Sequence, residues 1–139
     1  MTVDKKRYIK WLVAFGVGFT LAIMAYLRAT DPEPMRQKLV QEAVVAESRQ
    51  ILTAYVRPGG ELQLVDPLAP DRKIGKTYVW PTDSGWEVSG YYRRGESDVW
   101  HPYLMVLDSN SVLVSLAVKD ANDRLIGMSS QDERFSAVP

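Results

Sequence analysis

From Trp11 to Leu27 the chain reads WLVAFGVGFTLAIMAYL, without one charged side chain. A helix rises about 1.5 Å per residue, so this run spans roughly 25 Å. Tyr8, Ile9 and a snorkelling Lys10 extend it towards the roughly 30 Å of bilayer hydrocarbon. Trp11 and Tyr26 stand near its two ends, where amphipathic rings prefer the membrane interface. The pattern predicts a transmembrane anchor over residues 11–29, preceded by a basic segment over residues 1–10. A cleaved signal peptide would need a short apolar region and a small-x-small cleavage site. Ala25-Tyr26-Leu27-Arg28-Ala29 puts bulky and charged residues there, so the anchor is expected to be retained.

Lys5, Lys6, Arg7 and Lys10 precede the span, while Arg28, Asp31 and Glu33 follow it. Positive charge concentrates on the N-terminal side, which predicts a cytoplasmic N-terminus. The expected location is the cell inner membrane, single-pass, with the C-terminal domain in the periplasm. Within the span Ala14, Gly18 and Ala22 recur every fourth residue. In lipid, small residues at that spacing let a second helix approach closely, although an Ala- and Gly-rich span also produces the spacing by chance.

Taking about 30 residues of anchor from the 139 leaves one compact domain and a modest core. Lys+Arg and Asp+Glu are 17 each, so no strong field attracts nucleic acid, and none is expected as a partner. There is no cysteine, which excludes disulfides, thiolate metal sites and thiol nucleophiles. The single histidine, His101, rules out a two-histidine zinc site within one chain.

The soluble part reads as one α+β domain over residues 30–128. Thr30-Asp31-Pro32-Glu33-Pro34 separates the anchor from a helix expected over Glu33–Val56, with Val40, Val44, Ile51, Leu52 and Tyr55 at helical spacing. Pro58-Gly59-Gly60 stops that helix. Glu61–Val65 alternates like a short strand, and Asp66–Asp71 reads as a loop. Alternating segments at Lys76–Trp80, Trp86–Tyr92, Tyr103–Leu107 and Val112–Lys119 are separated by short turns, so neighbours should pair antiparallel. Arg124–Met128 reads as a short fifth strand, and residues 129–139 as a free polar tail. A two-layer arrangement follows, with a small curved antiparallel sheet wrapped on the amphipathic helix. Val40, Val44, Ile51 and Tyr55 would then face Val79, Trp86, Val88, Leu104, Val106, Val112, Val114 and Leu116.

No catalytic or cofactor signature emerges. His101 lies near Asp98, but no nucleophile can be assigned to such a pair. Asp120-Ala121-Asn122-Asp123 resembles the start of a calcium loop. Leu125 and Gln131 occupy the positions where that loop needs Gly and Glu, so a turn explains it better. The densest run of Tyr, Arg and Trp is Tyr91–Tyr103. Such residues are enriched at protein interfaces, and they also form cross-strand pairs and core. Arg93, Arg94, Trp100 and Tyr103 are the expected partner-docking residues; Ala14, Gly18 and Ala22 are the expected helix-packing residues.

The layout of anchor, helix and antiparallel sheet resembles that of small membrane-tethered modules among respiratory-complex assembly factors and secretion-system components. That resemblance is of architecture alone. The expected role is a non-catalytic accessory or assembly subunit of a larger integral-membrane protein complex, in contact with the lipid bilayer and without cofactor or metal. The alternative expectation is a component of a cell-envelope secretion or transfer machine with a self-associating periplasmic domain. An enzyme or small-ligand carrier working through His101 and Asp98 is the least expected.

Overall fold

The computed structural model describes residues 5–65 and 73–139. The loop expected at Asp66–Asp71 lies outside the described residues. The chain divides into two units, residues 1–38 and residues 39–139. In the first unit α1 covers Lys5–Ala29. None of its residues is buried, and its uncharged run from Trp11 to Leu27 makes the helix long and apolar enough to cross a membrane. Thr20 Oγ1 donates to the Gly16 carbonyl at 2.9 Å, so the hydroxyl brings no unmet polar group into the apolar run.

After three intervening residues α2 runs from Glu33 to Val56, the bounds expected from its breakers. Its first turns are exposed; Val44, Val45, Ser48, Leu52 and Val56 are buried. Val40 is therefore not a core residue, at 47% exposed, whereas Ser48 is one. The Ser48 hydroxyl donates to the Val45 carbonyl at 2.8 Å, which lets a polar residue sit inside an apolar stripe at little cost.

Beyond α2 come β1 (Gln63–Leu64), β2 (Tyr78–Thr82), β3 (Gly85–Arg93), β4 (His101–Asp108), β5 (Leu113–Lys119), α3 (Asp123–Ser129) and β6 (Phe135–Val138). They form one open six-stranded sheet in the order β1-β3-β4-β5-β6, with β2 also pairing β3. The sheet is mixed rather than purely antiparallel, because β6 lies parallel to β5. Parallel neighbours need a crossover rather than a hairpin, and α3 supplies it. The fifth strand expected at Arg124–Met128 is thus a helix. Asn122 caps it, its side chain accepting from the Arg124 N–H at 3.0 Å. The expected free tail ends in a strand that buries Phe135 and Ala137.

Register decides which face each strand buries. One inward row runs Val79, Val88, Met105, Leu116 and Phe135 across β2 to β6. A second runs Gly90, Tyr103, Val118 and Ala137. A Cβ at Gly90 would stand 3.0 Å from Thr77 Oγ1 and 3.3 Å from the Tyr103 ring, so glycine makes room for that ring. These rows join Val44, Leu52, Val56 and Leu125 in one core cluster. Leu104, Val112 and Val114, expected inside, point outward at 41%, 55% and 51% exposed. Val106 shares the Leu104 face and is half-buried. Met105 and Leu107 take the inward positions on β4 instead. Side chains alternate with period two, so a slip of one residue exchanges the faces.

Candidate functional site

Two features stand out: a polar network at one end of the sheet, and the sheet's uncovered outer face. The network begins with register. Tyr92 near the end of β3 pairs with His101 at the start of β4, and their rings stack 5.3 Å apart. Between them the loop 94–100 folds back on a single carboxylate. Asp98 accepts from the Arg94 N–H and the Val99 N–H, both at 2.9 Å, while its own N–H donates to the Gly95 carbonyl. Where β5 ends, Asp120 turns inward. Its N–H donates to the Val138 carbonyl at 2.8 Å, tying it to β6.

Asp120 is 4% exposed and accepts three donors. The Tyr92 hydroxyl reaches its Oδ2 at 2.6 Å, the Arg94 guanidinium donates to the same oxygen, and the Asn122 N–H reaches Oδ1 at 3.1 Å. Arg94 also bridges to Asp98 Oδ2 at 3.3 Å. Burial opposes the charged form of Asp120, but the Tyr92 hydroxyl and the Arg94 guanidinium outweigh it and hold the carboxyl below its usual value. Asp98 is likewise opposed by burial and held low, by the Arg94 N–H and by His101 and Arg94. Burial and the bond to Asp120 push the Tyr92 phenol up, so it stays a donor. His101 completes the ring of contacts: Nε2 lies 3.2 Å from Asp98 Oδ1, and Nδ1 lies 3.2 Å from the Lys119 carbonyl.

The pairing of His101 with Asp98 is thus present. The hydroxyl joined to this network, that of Tyr92, is committed to Asp120. Chemically the arrangement is a partly buried ion network, centred on the buried Asp120, that fastens β3, β4, β5 and β6 at one end. Among the described residues no group of three His, Cys, Asp or Glu could hold a metal ion.

The other expected residues separate. Arg93 lies over the Trp100 ring at 4.7 Å and donates through Nε to the exposed Gln63 Oε1 at 2.6 Å; Arg93 and Trp100 are half-buried where β3 ends and β4 begins. Arg94 belongs to the internal network. Tyr103 is 5% exposed and its phenol is pushed up to about 12 by burial, so its ring belongs to the core and not to a surface. Ala14, Gly18 and Ala22 share one side of α1, where a Cβ on Gly18 would meet nothing within 4 Å.

The outer sheet face is the part that sequence reasoning missed. Register lines up Tyr78, Ser89, Leu104, Ala117 and Ser136 in one row, and Trp80, Glu87, Val106 and Ser115 in the next. Tyr78 is 51% exposed and Trp80 38%. The two rings meet edge-on at 6.2 Å, with the Lys76 ammonium 5.1 Å from the Tyr78 ring centre. Apart from Glu87, small or apolar residues fill these rows. Alternation in Lys76–Trp80 could have shown that Tyr78 and Trp80 share one face. It could not show that the face was the outer one.

No protein-family model, curated protein or solved structure matches this chain.

Proposed function

We propose that this chain is a non-catalytic accessory or assembly subunit of a larger integral-membrane complex. In this reading α1 anchors it in the cell inner membrane, with the N-terminus cytoplasmic and the sheet domain periplasmic. The supporting charge pattern is Lys5, Lys6, Arg7 and Lys10 ahead of the apolar run. Ala14, Gly18 and Ala22 would meet a partner helix in the bilayer.

The observation that carries the docking reading is the outer sheet face. Five strands at about 4.8 Å spacing span roughly 19 Å, and two side-chain rows add about 10 Å along the strands, a patch of roughly 200 Å². A stable complex between free proteins buries about 800 Å² on each partner. The patch is therefore too small to hold a freely diffusing partner on its own. With α1 already held against the partner in the bilayer, the sheet contact becomes intramolecular, at roughly millimolar effective concentration for a short link, so weak contact through Tyr78, Trp80 and Leu104 would suffice. Arg93 and Trp100 would extend this contact where β3 ends and β4 begins.

The test is purification of the full-length chain from its native membrane in mild detergent, with mass spectrometry of what co-migrates. A multi-pass protein is expected, and Leu104→Glu should lose it while keeping the domain folded. Recovery of wild type as a lone monomer would overturn the proposal. Recovery bound only to further copies of itself would favour a self-associating secretion or transfer component instead.

A further inference from the structure

The loop 94–100 between β3 and β4 is held by the Asp98 carboxylate, and His101 connects that carboxylate to the rest of the sheet. Both ring nitrogens of His101 face acceptors. The Lys119 carbonyl, 3.2 Å from Nδ1, can only accept. Asp98 Oδ1, 3.2 Å from Nε2, also only accepts while the carboxyl is ionised. A neutral imidazole has one N–H and satisfies one of the two; an imidazolium satisfies both.

We propose that His101 is a proton-operated latch on the loop between β3 and β4. Carrying two ring protons, it bridges Asp98 on the loop to the Lys119 carbonyl at the end of β5. When one proton passes to solvent water, the two acceptors compete for the remaining N–H. The Lys119 carbonyl is fixed by the sheet ladder, whereas Asp98 sits on a loop. Nδ1 therefore keeps its proton, Nε2 loses it, and the loop side opens.

The groups facing the ring agree with this direction. From β3 come the stacked Tyr92 ring and, just beyond the strand, Arg94; from the loop, Asp98; from the end of β5, Asp120, whose Oδ2 is 3.8 Å from Nδ1. With the imidazolium present, two cations balance two carboxylates. Without it, Asp98 and Asp120 share Arg94 alone. Both carboxyls are held below their usual range, so they stay ionised, as acceptors only, whether the ring carries one proton or two. Opening would release Val99, already 69% exposed, and Trp100 with its stacked Arg93.

His101 is the only histidine, so its ring ¹⁵N signals are unambiguous in the full-length chain in lipid nanodiscs. The same samples give hydrogen exchange at the Arg94 and Val99 amides, the two that donate to Asp98. Corrected for intrinsic exchange, both amides should gain about tenfold protection from the alkaline to the acid side, the worth of one charge-assisted hydrogen bond. The midpoint should coincide with the ring titration, and the neutral ring should carry its proton on Nδ1. Protection that stays constant while the ring titrates would overturn the latch, as would a neutral ring protonated on Nε2. Asp98→Asn should make the protection independent of pH, and persistence of the dependence would also overturn it. Should that variant fail to fold, the coincidence of the two wild-type titrations decides. Neither readout involves a partner, so the latch and the docking proposal fail separately.

Discussion

Replacing Asp120 with asparagine keeps the shape of the side chain and removes its charge at the centre of the polar network. The amide can still accept the Asn122 N–H at Oδ1, now 3.1 Å away. At the other position an NH₂ group would face two donors, the Tyr92 hydroxyl at 2.6 Å and the Arg94 guanidinium. Arg94 keeps only Asp98. Removing one partner of a buried ion pair costs about 3–5 kcal/mol. The Arg94 side chain is 24% exposed, so water replaces part of the loss and the lower end applies, about 3 kcal/mol. For a domain of about 100 residues this lowers Tm by about 12 °C or more. Tyr92→Phe leaves the Arg94–Asp120 pair intact and should cost only about 1 kcal/mol. The assay is urea denaturation of the full-length chain in mild detergent, followed by near-ultraviolet circular dichroism. Depressed carboxyls stabilise fully above their ordinary value, about pH 3.9, and lose that contribution as the pH falls through the lower folded value. Asp120→Asn should therefore flatten the acid limb of the stability profile. An Asp120→Asn variant within about 0.5 kcal/mol of wild type, or a Tyr92→Phe variant equally costly, would refute the network as a fastening of the sheet.

Adjacent residues on β4 give a sharp contrast. Met105→Ala should cost about 2–5 kcal/mol, whereas Leu104→Glu should stay within about 0.5 kcal/mol, and thermal melts that rank them the other way would reverse the assigned faces. Truncation after Glu133 removes Phe135, 2% exposed, and Ala137 from the core. It should destabilise by at least the roughly 3–5 kcal/mol of a lost core phenylalanine; an unchanged melt would restore the free-tail reading. Asp132 is held at about 2 by bonds from Arg134 and Tyr55. Carboxyl NMR titration should find it there, and Tyr55→Phe should raise it; an ordinary midpoint in wild type would show those bonds absent in solution.

The long apolar helix α1 and the helix α2 were legible because each rests on a long signal: an uncharged run, and helical spacing closed by Pro58-Gly59-Gly60. The four main strands were located for a similar reason, by turns on both sides. Their faces were not. On β4 the inward set Tyr103, Met105, Leu107 and the outward set Leu104, Val106 are both apolar, so alternation carries no sign. On β5 the register shifts opposite Val106 and Leu107, so the buried residues fall at Leu113, Leu116 and Val118 and no single period fits them. The short helix α3 was misread because Arg124–Met128 is too short for period to separate helix from strand, although Asn122-Asp123 is a fair helix start. The final strand buries only two residues, too few to announce itself. The polar network joins Tyr92 to Asp120 across 28 positions, and only the folded register brings them together. Tyr103 looked like an interface residue by composition, yet its place in the inward row made it core.

Photo-crosslinking from position 104, performed on the full-length chain in its native membrane, tests the tethered docking subunit most directly. A covalent adduct with an integral-membrane protein is expected, repeated from position 80 and missing from the inward position 105. A chain that washes off the membrane at alkaline pH, or positions 80 and 104 that capture no protein while the chain stays anchored, would contradict it.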